Sequence, residues 1–295
     1  MKNIKAWLKS HSFYVFDFGV SSKLIHIKKT GSINHYYHYI VDFLWPVNYW
    51  LESIGKEKSD IIHIYTNDKE ALHFNSISQN IFGVRVEKNI AKVFFNVCSM
   101  NISYKKIQGF NTNTGAYLRE FASKSEIKRS LLKLRNDVIN NIDIKNHKVD
   151  EEVIILIERT FSNEDRGAAR RYILNHNNLK KDLSDYCKEK NITLLNLKLE
   201  ELDFISQVEA FKKCRFVVGQ HGAGLLNIIW GDYDSISLIE LAKDRSRNHF
   251  RNLCEVAGVE YLHLQFENKG GEDKEIIDVN SNYIISIIND RLNNV

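Results

Sequence analysis

The sequence has few of the features that cross-link a chain, interrupt its helices or carry it through a membrane. It contains a single proline, Pro46, and no stretch approaches the roughly 18 consecutive apolar residues of a membrane span. Residues 1–20 lack the unbroken apolar core of a signal peptide. We therefore expect a cytoplasmic protein without a transmembrane segment, either in solution or in peripheral contact with the inner face of a membrane.

Cysteine is scarce, and its spacing does not indicate cross-links or metal. The four cysteines lie far apart, with no Cys-x-x-Cys pair and no Cys/His cluster at zinc spacing. This pattern favours buried free thiols in a reducing compartment over disulfides or a zinc site. The cysteines are Cys98, Cys187, Cys214 and Cys254.

An excess of charge of one sign is also missing. The formal net charge is +4 and no long Lys/Arg block occurs, so the chain does not resemble a nucleic-acid-binding protein. A mildly basic balance instead suits a small anionic ligand. Hydrophobic residues make up 43% of the chain, which is enough for a packed core, and 295 residues suggest two ordinary domains or one large domain.

A regular alternation of strands and helices begins near residue 150. The strands are continuous apolar runs, which are typical of parallel strands covered on both faces. Asp203 is a predicted N-cap, and Gly258 is predicted to end a helix. The alternation predicts a Rossmann-like domain, a parallel sheet with helices on both faces. The predicted strands are 153–157, 192–197, 215–219, 235–241 and 259–265, and the predicted helices are 177–190, 203–214, 223–230 and 247–258.

The first half of the chain is less regular. It contains a long aromatic helix candidate, one apolar strand and a lysine-rich helix, followed by a polar linker candidate. The end of the chain carries a surface loop and an amphipathic helix. These predicted features are, in order, 33–53, 61–65, 124–140, 140–152, 270–275 and 282–294.

The sequence VVGQHGAGLLN (217–227) places three glycines and a histidine between a buried strand and an apolar helix. In a doubly wound sheet, ligands bind beyond the carboxyl ends of the strands, where this turn should lie. Glycine permits positive φ angles and close approach of a ligand to the backbone. The N–H groups near Ala223 and Gly224 suit a phosphate, and His221 could donate a hydrogen bond to it. The alternative is a tight turn that needs glycine only for its shape.

Arginines are concentrated in the segment 158–175, which follows the first strand of this domain. The segment should lie on the same sheet edge as the glycine turn, and guanidinium groups bind phosphate oxygens through paired donors. The two features together predict a nucleoside diphosphate, with a solvated basic loop as the alternative. Glu240, near the end of a neighbouring strand, could accept hydrogen bonds from two sugar hydroxyls or cap the next helix. The arginines are Arg159, Arg166, Arg170 and Arg171.

The aromatic helix candidate carries a second set of polar residues. His38 and Asp42 are four residues apart and would share one face of an α-helix, with Asn34, Trp45 and Tyr49 near that face. An Asp beside a His can orient its ring and raise its basicity, which suits a general base. A structural His–Asp pair in the core is the alternative. Pro46 should bend the helix near Asp42, because proline has no N–H to donate.

Three motifs follow one another along the chain. The first is Asn-x-x-x-His-x-x-x-Asp, and the second is Arg-x-Ile-x-Asn. The third and most specific is Gly-x-His-Gly-Ala-Gly-Leu-x-Asn. Their residues are Asn34, His38 and Asp42; Arg171, Ile173 and Asn175; and Gly219, His221, Gly222, Ala223, Gly224, Leu225 and Asn227. In these motifs and their order the chain resembles glycosyltransferase family 61, over roughly residues 30–265.

This resemblance implies an α/β fold of GT-B type, with two Rossmann-like lobes, a cleft between them and the clearer parallel sheet in the C-terminal lobe. It implies residues 1–148 as an acceptor-side lobe and residues 149–275 as a nucleotide-sugar-binding lobe. The C-terminal helix (276–295) could pack back on the N-terminal lobe. Family members include plant arabinoxylan enzymes, eukaryotic O-linked N-acetylglucosamine transferases and bacterial proteins of capsular polysaccharide synthesis.

The resemblance further implies inverting, metal-independent transfer of a hexosyl or pentosyl group from a nucleotide sugar to a hydroxyl of a glycan. A UDP-sugar is the favoured donor, no cofactor or metal site of the Asp-x-Asp type is expected, and the acceptor could be lipid-linked. The expected role is bacterial surface polysaccharide synthesis, of capsule or lipopolysaccharide.

We assign site residues accordingly. Asp42 or His38 would be the base, with Asn34, Trp45 and Tyr49 on the acceptor side. The expected donor-binding residues are Arg159, Arg171, Asn175, Gly219, His221, Gly222, Ala223, Gly224, Asn227 and Glu240. Two rival functions stay open, a nucleotide- or sugar-binding module without turnover and an α/β enzyme with another nucleotide cofactor, such as a methyltransferase. The sequence VIILIERTF lacks the glycine-rich turn that such methyltransferases usually carry after their first strand.

Overall fold

The computed structural model describes residues 13–17, 22–27, 36–45, 61–66, 84–87, 103–106, 124–141, 152–159, 171–243, 248–270 and 274–293. Asn34, Tyr49, Arg166 and Arg170 lie outside these ranges. The chain divides into two compact units, Met1–Asn111 with Ala116–Asp143, and Thr112–Gly115 with Ile144–Val295. The main division falls inside the polar segment 140–152.

The N-terminal unit contains a five-stranded mixed sheet in the order β4-β3-β2-β1-β5. Its strands are β1 (Phe13–Asp17), β2 (Ser22–Ile27), β3 (Ile61–Thr66), β4 (Val84–Glu87) and β5 (Ser103–Lys106). β2, β3 and β4 are parallel, whereas β1 is antiparallel to both of its neighbours. The sheet therefore differs from the all-parallel sheet expected of a Rossmann-like lobe. β1 and β2 pair antiparallel because only residues 18–21 separate them, whereas a parallel crossover needs about a dozen residues.

The described part of the aromatic segment, residues 36–45, is helical, but not as the regular α-helix that the sequence predicts. A short α1 (Tyr36–His38) continues as a π-helix over Tyr39–Leu44. Because Pro46 has no N–H, the carbonyl of Asp42 cannot accept the i+4 hydrogen bond of an α-helix, and a π-helix uses i+5 bonds instead. A long helix, α2 (Lys124–Asn141), also belongs to this unit and confirms the predicted lysine-rich helix.

The C-terminal unit is built on a parallel sheet, in the order β11-β10-β9-β6-β8. The predicted parallel sheet is therefore confirmed. A separate parallel pair, β7 with β12, was not predicted. The strands are β6 (Val153–Ile157), β7 (Arg171–Ile173), β8 (Thr193–Leu197), β9 (Cys214–Gln220), β10 (Ser237–Ala242), β11 (Glu260–Gln265) and β12 (Glu275–Ile277).

The helices of this unit follow the predicted positions closely. Asp203 caps α4 (Phe204–Lys212), because its carboxylate accepts a hydrogen bond from the N–H of Ser206 at 2.7 Å. Gly258 ends α5 (His249–Ala257) with φ 80°. The apolar sequence AGLLNIIW forms a 3-10 helix (Ala223–Trp230) rather than an α-helix. The α-helices are α3 (His176–Lys190), α4 (Phe204–Lys212), α5 (His249–Ala257) and α6 (Ser281–Asn293), and a short 3-10 helix spans Leu199–Glu201.

One face of the parallel sheet is covered by α3 and α6. Leu183 of α3 and Ile284 of α6 belong to the same buried cluster as Leu156 and Val218 of the sheet. Tyr186 of α3 also donates a hydrogen bond to the amide of Asn289 at 3.3 Å. The terminal helix therefore packs against α3 within the C-terminal unit, and packing on the N-terminal lobe stays a prediction. Within the described ranges, no helix has the length and apolar character needed to cross a membrane.

Candidate donor-binding site

The carboxyl edge of the parallel sheet contains the point where the strand order reverses. From β6 the chain moves to β8 on one side and then returns to β9 on the other side of β6. Ligands of open α/β sheets bind at such a point, in the crevice beyond the strand ends. Arg159 follows β6 by two residues and His221 follows β9 directly. Two of the predicted site residues therefore lie at the switch point itself.

Two arginines converge on a single backbone oxygen at this point. Nη1 of Arg159 donates to the carbonyl of His221 at 2.7 Å, and Nη1 of Arg171 approaches the same carbonyl at 3.4 Å. Nε of Arg171 also pairs with the carboxylate of Glu275 at 3.3 Å. Burial lowers the pKa of Arg159, while the charge of Glu275 opposes that shift. The two guanidinium groups thus fix the glycine turn and concentrate positive charge beside it.

The ring of His221 is held from behind by a buried carboxylate. Its Nδ1 is hydrogen-bonded to Oε1 of Glu240, whose side chain is only 1% exposed. The other oxygen of Glu240 accepts a hydrogen bond from the hydroxyl of Tyr261 at 2.6 Å. Both oxygens of Glu240 therefore have partners within the protein, so this geometry does not present them to two sugar hydroxyls.

The glycines of the turn are required for close packing rather than for positive φ angles. A β-carbon at Gly222 would lie 2.1 Å from Nη1 of Arg159, and one at Gly224 would lie 2.7 Å from Leu199. At Gly219 it would lie 3.1 Å from Ile157. Of the described glycines, only Gly258 has a φ in the left-handed region, and Gly222 is extended with φ 170°. The expected left-handed conformation is therefore not observed in the turn, and protein atoms fill the space beside Gly222.

The 3-10 helix begins at the turn with Ala223 and Gly224. Its first hydrogen bond runs from the N–H of Leu225 to the carbonyl of Gly222 at 3.0 Å. The N–H groups of residues at a helix start have no earlier carbonyl within the helix, so they are the groups that an anion can meet. The turn thus places backbone donors, two guanidinium groups and one imidazole at the same strand ends.

Two predicted donor-binding asparagines have structural partners instead. Both ends of the Asn175 amide bind the backbone of Val279, donating to its carbonyl at 2.7 Å and accepting from its N–H at 3.1 Å. Asn227 is fully buried, donates to Gln207 at 2.9 Å and accepts from the indole N–H of Trp230 at 3.0 Å. Their amides join the start of α3 to the segment that follows β12, and the 3-10 helix to α4. Donor contact for either residue remains a prediction.

The N-terminal candidates are placed only in part. His38 and Asp42 lie at the end of α1 and within the π-helix, and only their backbones are described. Trp45 is 2% exposed, and its indole N–H donates to the hydroxyl of Ser130 on α2 at 2.7 Å. Trp45 is therefore a core residue, although the sequence analysis assigned it to the acceptor side.

One Asp-x-Asp sequence does occur, at Asp232–Asp234, although no such site was expected. It precedes β10 and so lies at the amino end of the strands, away from the carboxyl edge. The carboxylate of Asp232 accepts a hydrogen bond from the Ser235 hydroxyl at 3.2 Å, within the turn itself. The described residues contain no group of three or more His, Cys, Asp or Glu side chains arranged to hold a metal ion.

Sequence reasoning missed three residues around the turn. Glu275, in a segment predicted as surface loop, is 6% exposed and pairs with Arg171, while its backbone carbonyl accepts from Gln220 at 2.8 Å. Tyr261 lies on β11 and Gln220 ends β9. An acidic residue beyond the last predicted strand could have been recognised as a counter-charge for the arginines, but nothing in the sequence marks Tyr261.

These features place a hydrogen-bond-donating site with two guanidinium groups at the switch point of a parallel sheet. The family model described as Glycosyltransferase 61 matches residues 36–237, from α1 to the start of β10, so the class of protein is a glycosyltransferase. Because the match covers more than half of the sequence, the chain belongs to glycosyltransferase family 61.

The other comparisons add little. No curated protein is significantly similar to the chain. Among solved structures, the metal-soaked Flv1 flavodiiron core from Synechocystis sp. PCC6803 is similar at 7% identity, over 77% of this chain and 81% of that one. Its TM-score is 0.29, so this likeness carries no argument.

Proposed function

We propose that the protein is an inverting, metal-independent glycosyltransferase that moves a sugar from a nucleotide sugar to a hydroxyl of a glycan acceptor. The observation that carries the proposal is the convergence of Arg159 and Arg171 on the carbonyl of His221 at the switch point of the sheet. Guanidinium and imidazole groups can stabilise the charge that develops on a leaving diphosphate.

The proposed reaction is a single displacement. Asp42 or His38 removes the proton of the acceptor hydroxyl, and the resulting oxygen attacks the anomeric carbon of the donor. The bond to the diphosphate breaks as the new glycosidic bond forms, so the configuration inverts. His221, Arg171 and the N–H groups of Ala223 and Gly224 bind the leaving nucleoside diphosphate. A GT-B arrangement of the two units belongs to this proposal.

The remaining details are proposals that rest on the family. We infer a UDP-sugar as the donor from the family resemblance alone, since the charged groups described here recognise any nucleoside diphosphate and do not select a base. A role in bacterial capsule or lipopolysaccharide synthesis, at the inner face of the membrane, would fit a glycan acceptor with a lipid anchor.

Transfer from the nucleotide sugar should proceed without added divalent metal. The reason is that Arg171 supplies positive charge at the diphosphate, and His221 and the backbone N–H groups of the turn supply hydrogen-bond donors. The measurement is release of nucleoside diphosphate from a panel of nucleotide sugars, with and without EDTA. Activity that EDTA abolishes and magnesium restores would show that the reaction depends on metal. Donor binding without any turnover would instead favour a non-catalytic binding module.

Replacing His221 of the turn or Arg171 beside it should weaken nucleoside diphosphate binding. His221→Ala and Arg171→Ala each remove one charge-assisted hydrogen bond, so each should lower affinity about ten- to a hundredfold. Arg171 is accessible to a ligand, since 22% of its side chain is exposed. The measurement is titration calorimetry with the nucleoside diphosphate that wild type binds most tightly.

Arg291→Ala is the matched control for Arg171→Ala. Arg291 pairs with Glu260 at 3.2 Å, much as Arg171 pairs with Glu275 at 3.3 Å, but it lies on α6 and is exposed. The control should bind the diphosphate as wild type does, and melting temperatures should show that all three variants fold. Unchanged affinity for the diphosphate in both His221→Ala and Arg171→Ala would show that the glycine turn has only a structural role.

A further inference from the structure

Glu240 lies in β10, between the glycine turn and β11. In the sheet register it is opposite Gly219 on one side and His263 on the other. Its carboxylate is almost completely buried and binds two side chains, Nδ1 of His221 and the hydroxyl of Tyr261. A buried carboxylate is stable only when it is paired or hydrogen-bonded, and here each oxygen has a partner.

We infer that Glu240 and Tyr261 are positioning residues that act through His221 and aim its Nε2 at the diphosphate of the donor. This inference rests on the proposed function. The two nitrogens of an imidazole differ, and the hydrogen bond made by one nitrogen determines which nitrogen is offered to a ligand. With Nδ1 held by Glu240, Nε2 is the nitrogen that remains for the ligand. The carboxylate also stabilises positive charge on the ring when an anion binds.

The surroundings of the ring restrict it further. The ring of Phe250 meets the His221 ring edge-on, with centroids 5.3 Å apart, and the ring of His249 lies 5.9 Å away. Rings that are packed and hydrogen-bonded in this way hold one rotamer, which is what a preorganised binding group requires.

Tyr261 completes the arrangement from the neighbouring strand. Burial raises the pKa of its hydroxyl, and the charge of Glu240 raises it further, so the group remains protonated and continues to donate. Because Tyr261 fixes one oxygen of Glu240, the other oxygen is directed to His221. In the described part of the chain Tyr261 has no hydrogen bond or ring contact with residues 219–224, so we expect its effect on the ligand to pass through Glu240.

A double-mutant cycle on the full chain tests this inference. Calorimetry with UDP, GDP, ADP, CDP and dTDP first identifies the diphosphate that wild type binds most tightly. Glu240→Gln should lower affinity for that diphosphate about ten- to a hundredfold, as His221→Ala does. Glu240→Gln combined with His221→Ala should bind no more weakly than His221→Ala alone, because Glu240 acts only through the ring. Tyr261→Phe should cost about two- to tenfold, and nothing further in the His221→Ala background.

Matched controls separate this effect from general damage. Glu260→Gln and Tyr283→Phe make the same chemical changes at solvent-exposed positions of the same unit, and they should bind as wild type does. Melting temperatures establish folding for every variant. Should Glu240→Gln fail to fold, Tyr261→Phe with and without His221→Ala gives the same cycle from a milder change.

The outcomes distinguish the inference from the proposed function. Losses that add in the double variant would show that Glu240 meets the ligand directly, which overturns the inference. Weaker binding in His221→Ala with wild-type binding in both Glu240→Gln and Tyr261→Phe would overturn it as well, while the proposed function stands. A wild-type chain that binds none of the five diphosphates would overturn both.

Discussion

Asp42→Asn should fold, bind the donor almost as wild type does, and transfer the sugar about a hundred to ten thousand times more slowly. Asparagine keeps the shape of the side chain but cannot accept a proton. Asp42 belongs to the π-helix Tyr39–Leu44, and π-helical turns inside helices are frequent at functional sites. The measurements are turnover with the preferred donor, donor affinity and melting temperature.

His38→Ala provides the comparison for Asp42→Asn. If the two residues work as a pair, His38→Ala should also be slow while its donor affinity is retained. Near-normal turnover in Asp42→Asn would exclude Asp42 as the base and move that role to His38. Loss of folding in both variants would show that the pair is a structural element of the core.

Trp45→Ala should destabilise the N-terminal unit by about 3–5 kcal/mol, the usual cost of truncating a buried tryptophan. The indole is almost fully buried and donates to the Ser130 hydroxyl, so the substitution removes apolar packing and leaves a cavity beside α2. Denaturant unfolding, followed together with donor affinity, measures the effect. Donor affinity should be retained under native conditions, since the proposed donor site lies in the C-terminal unit.

Two milder variants separate the contributions to this effect. Trp45→Phe keeps a large ring and loses the donor, and Ser130→Ala keeps the indole and loses the acceptor. Each should cost about 1–3 kcal/mol, less than Trp45→Ala. A Trp45→Ala chain as stable as wild type, but with a raised KM for the acceptor, would contradict the core role and restore the acceptor-side assignment.

The C-terminal sheet could be predicted because its signals are local. Strands such as VIILI (153–157) are short apolar runs, and Asp203 and Gly258 mark helix ends through interactions within a few residues. In the mixed sheet of the N-terminal unit only β3 carries such a signal, as the apolar run 61–65. β1 and β5 are paired across more than eighty residues of chain, and such non-local pairing leaves no periodic pattern in the sequence.

The candidate site was predictable to a similar extent. Arginines and a glycine turn after two strands of one parallel sheet had to share an edge, and Arg159, Arg171 and His221 do meet there. The sequence predicts that Gly222 lets a ligand approach the backbone. The structure shows instead that the guanidinium group of Arg159 fills the space of the absent side chain. The hydrogen bonds of Glu240 to His221 and Tyr261 could not be predicted either, because they depend on the order of β9, β10 and β11 in the sheet.

The pairing of β7 with β12 has a consequence for how the site is assembled. Asn175 and Val279, which join these strands just beyond their ends, are 104 residues apart in the chain. Contacts between distant residues close a large loop and therefore form slowly compared with local helices. The carboxylate of Glu275, which pairs with Arg171, reaches this arginine only when β7 and β12 pair. The parallel sheet can therefore form before this pairing, and we expect the contact between Arg171 and Glu275 at its carboxyl edge to form late in folding.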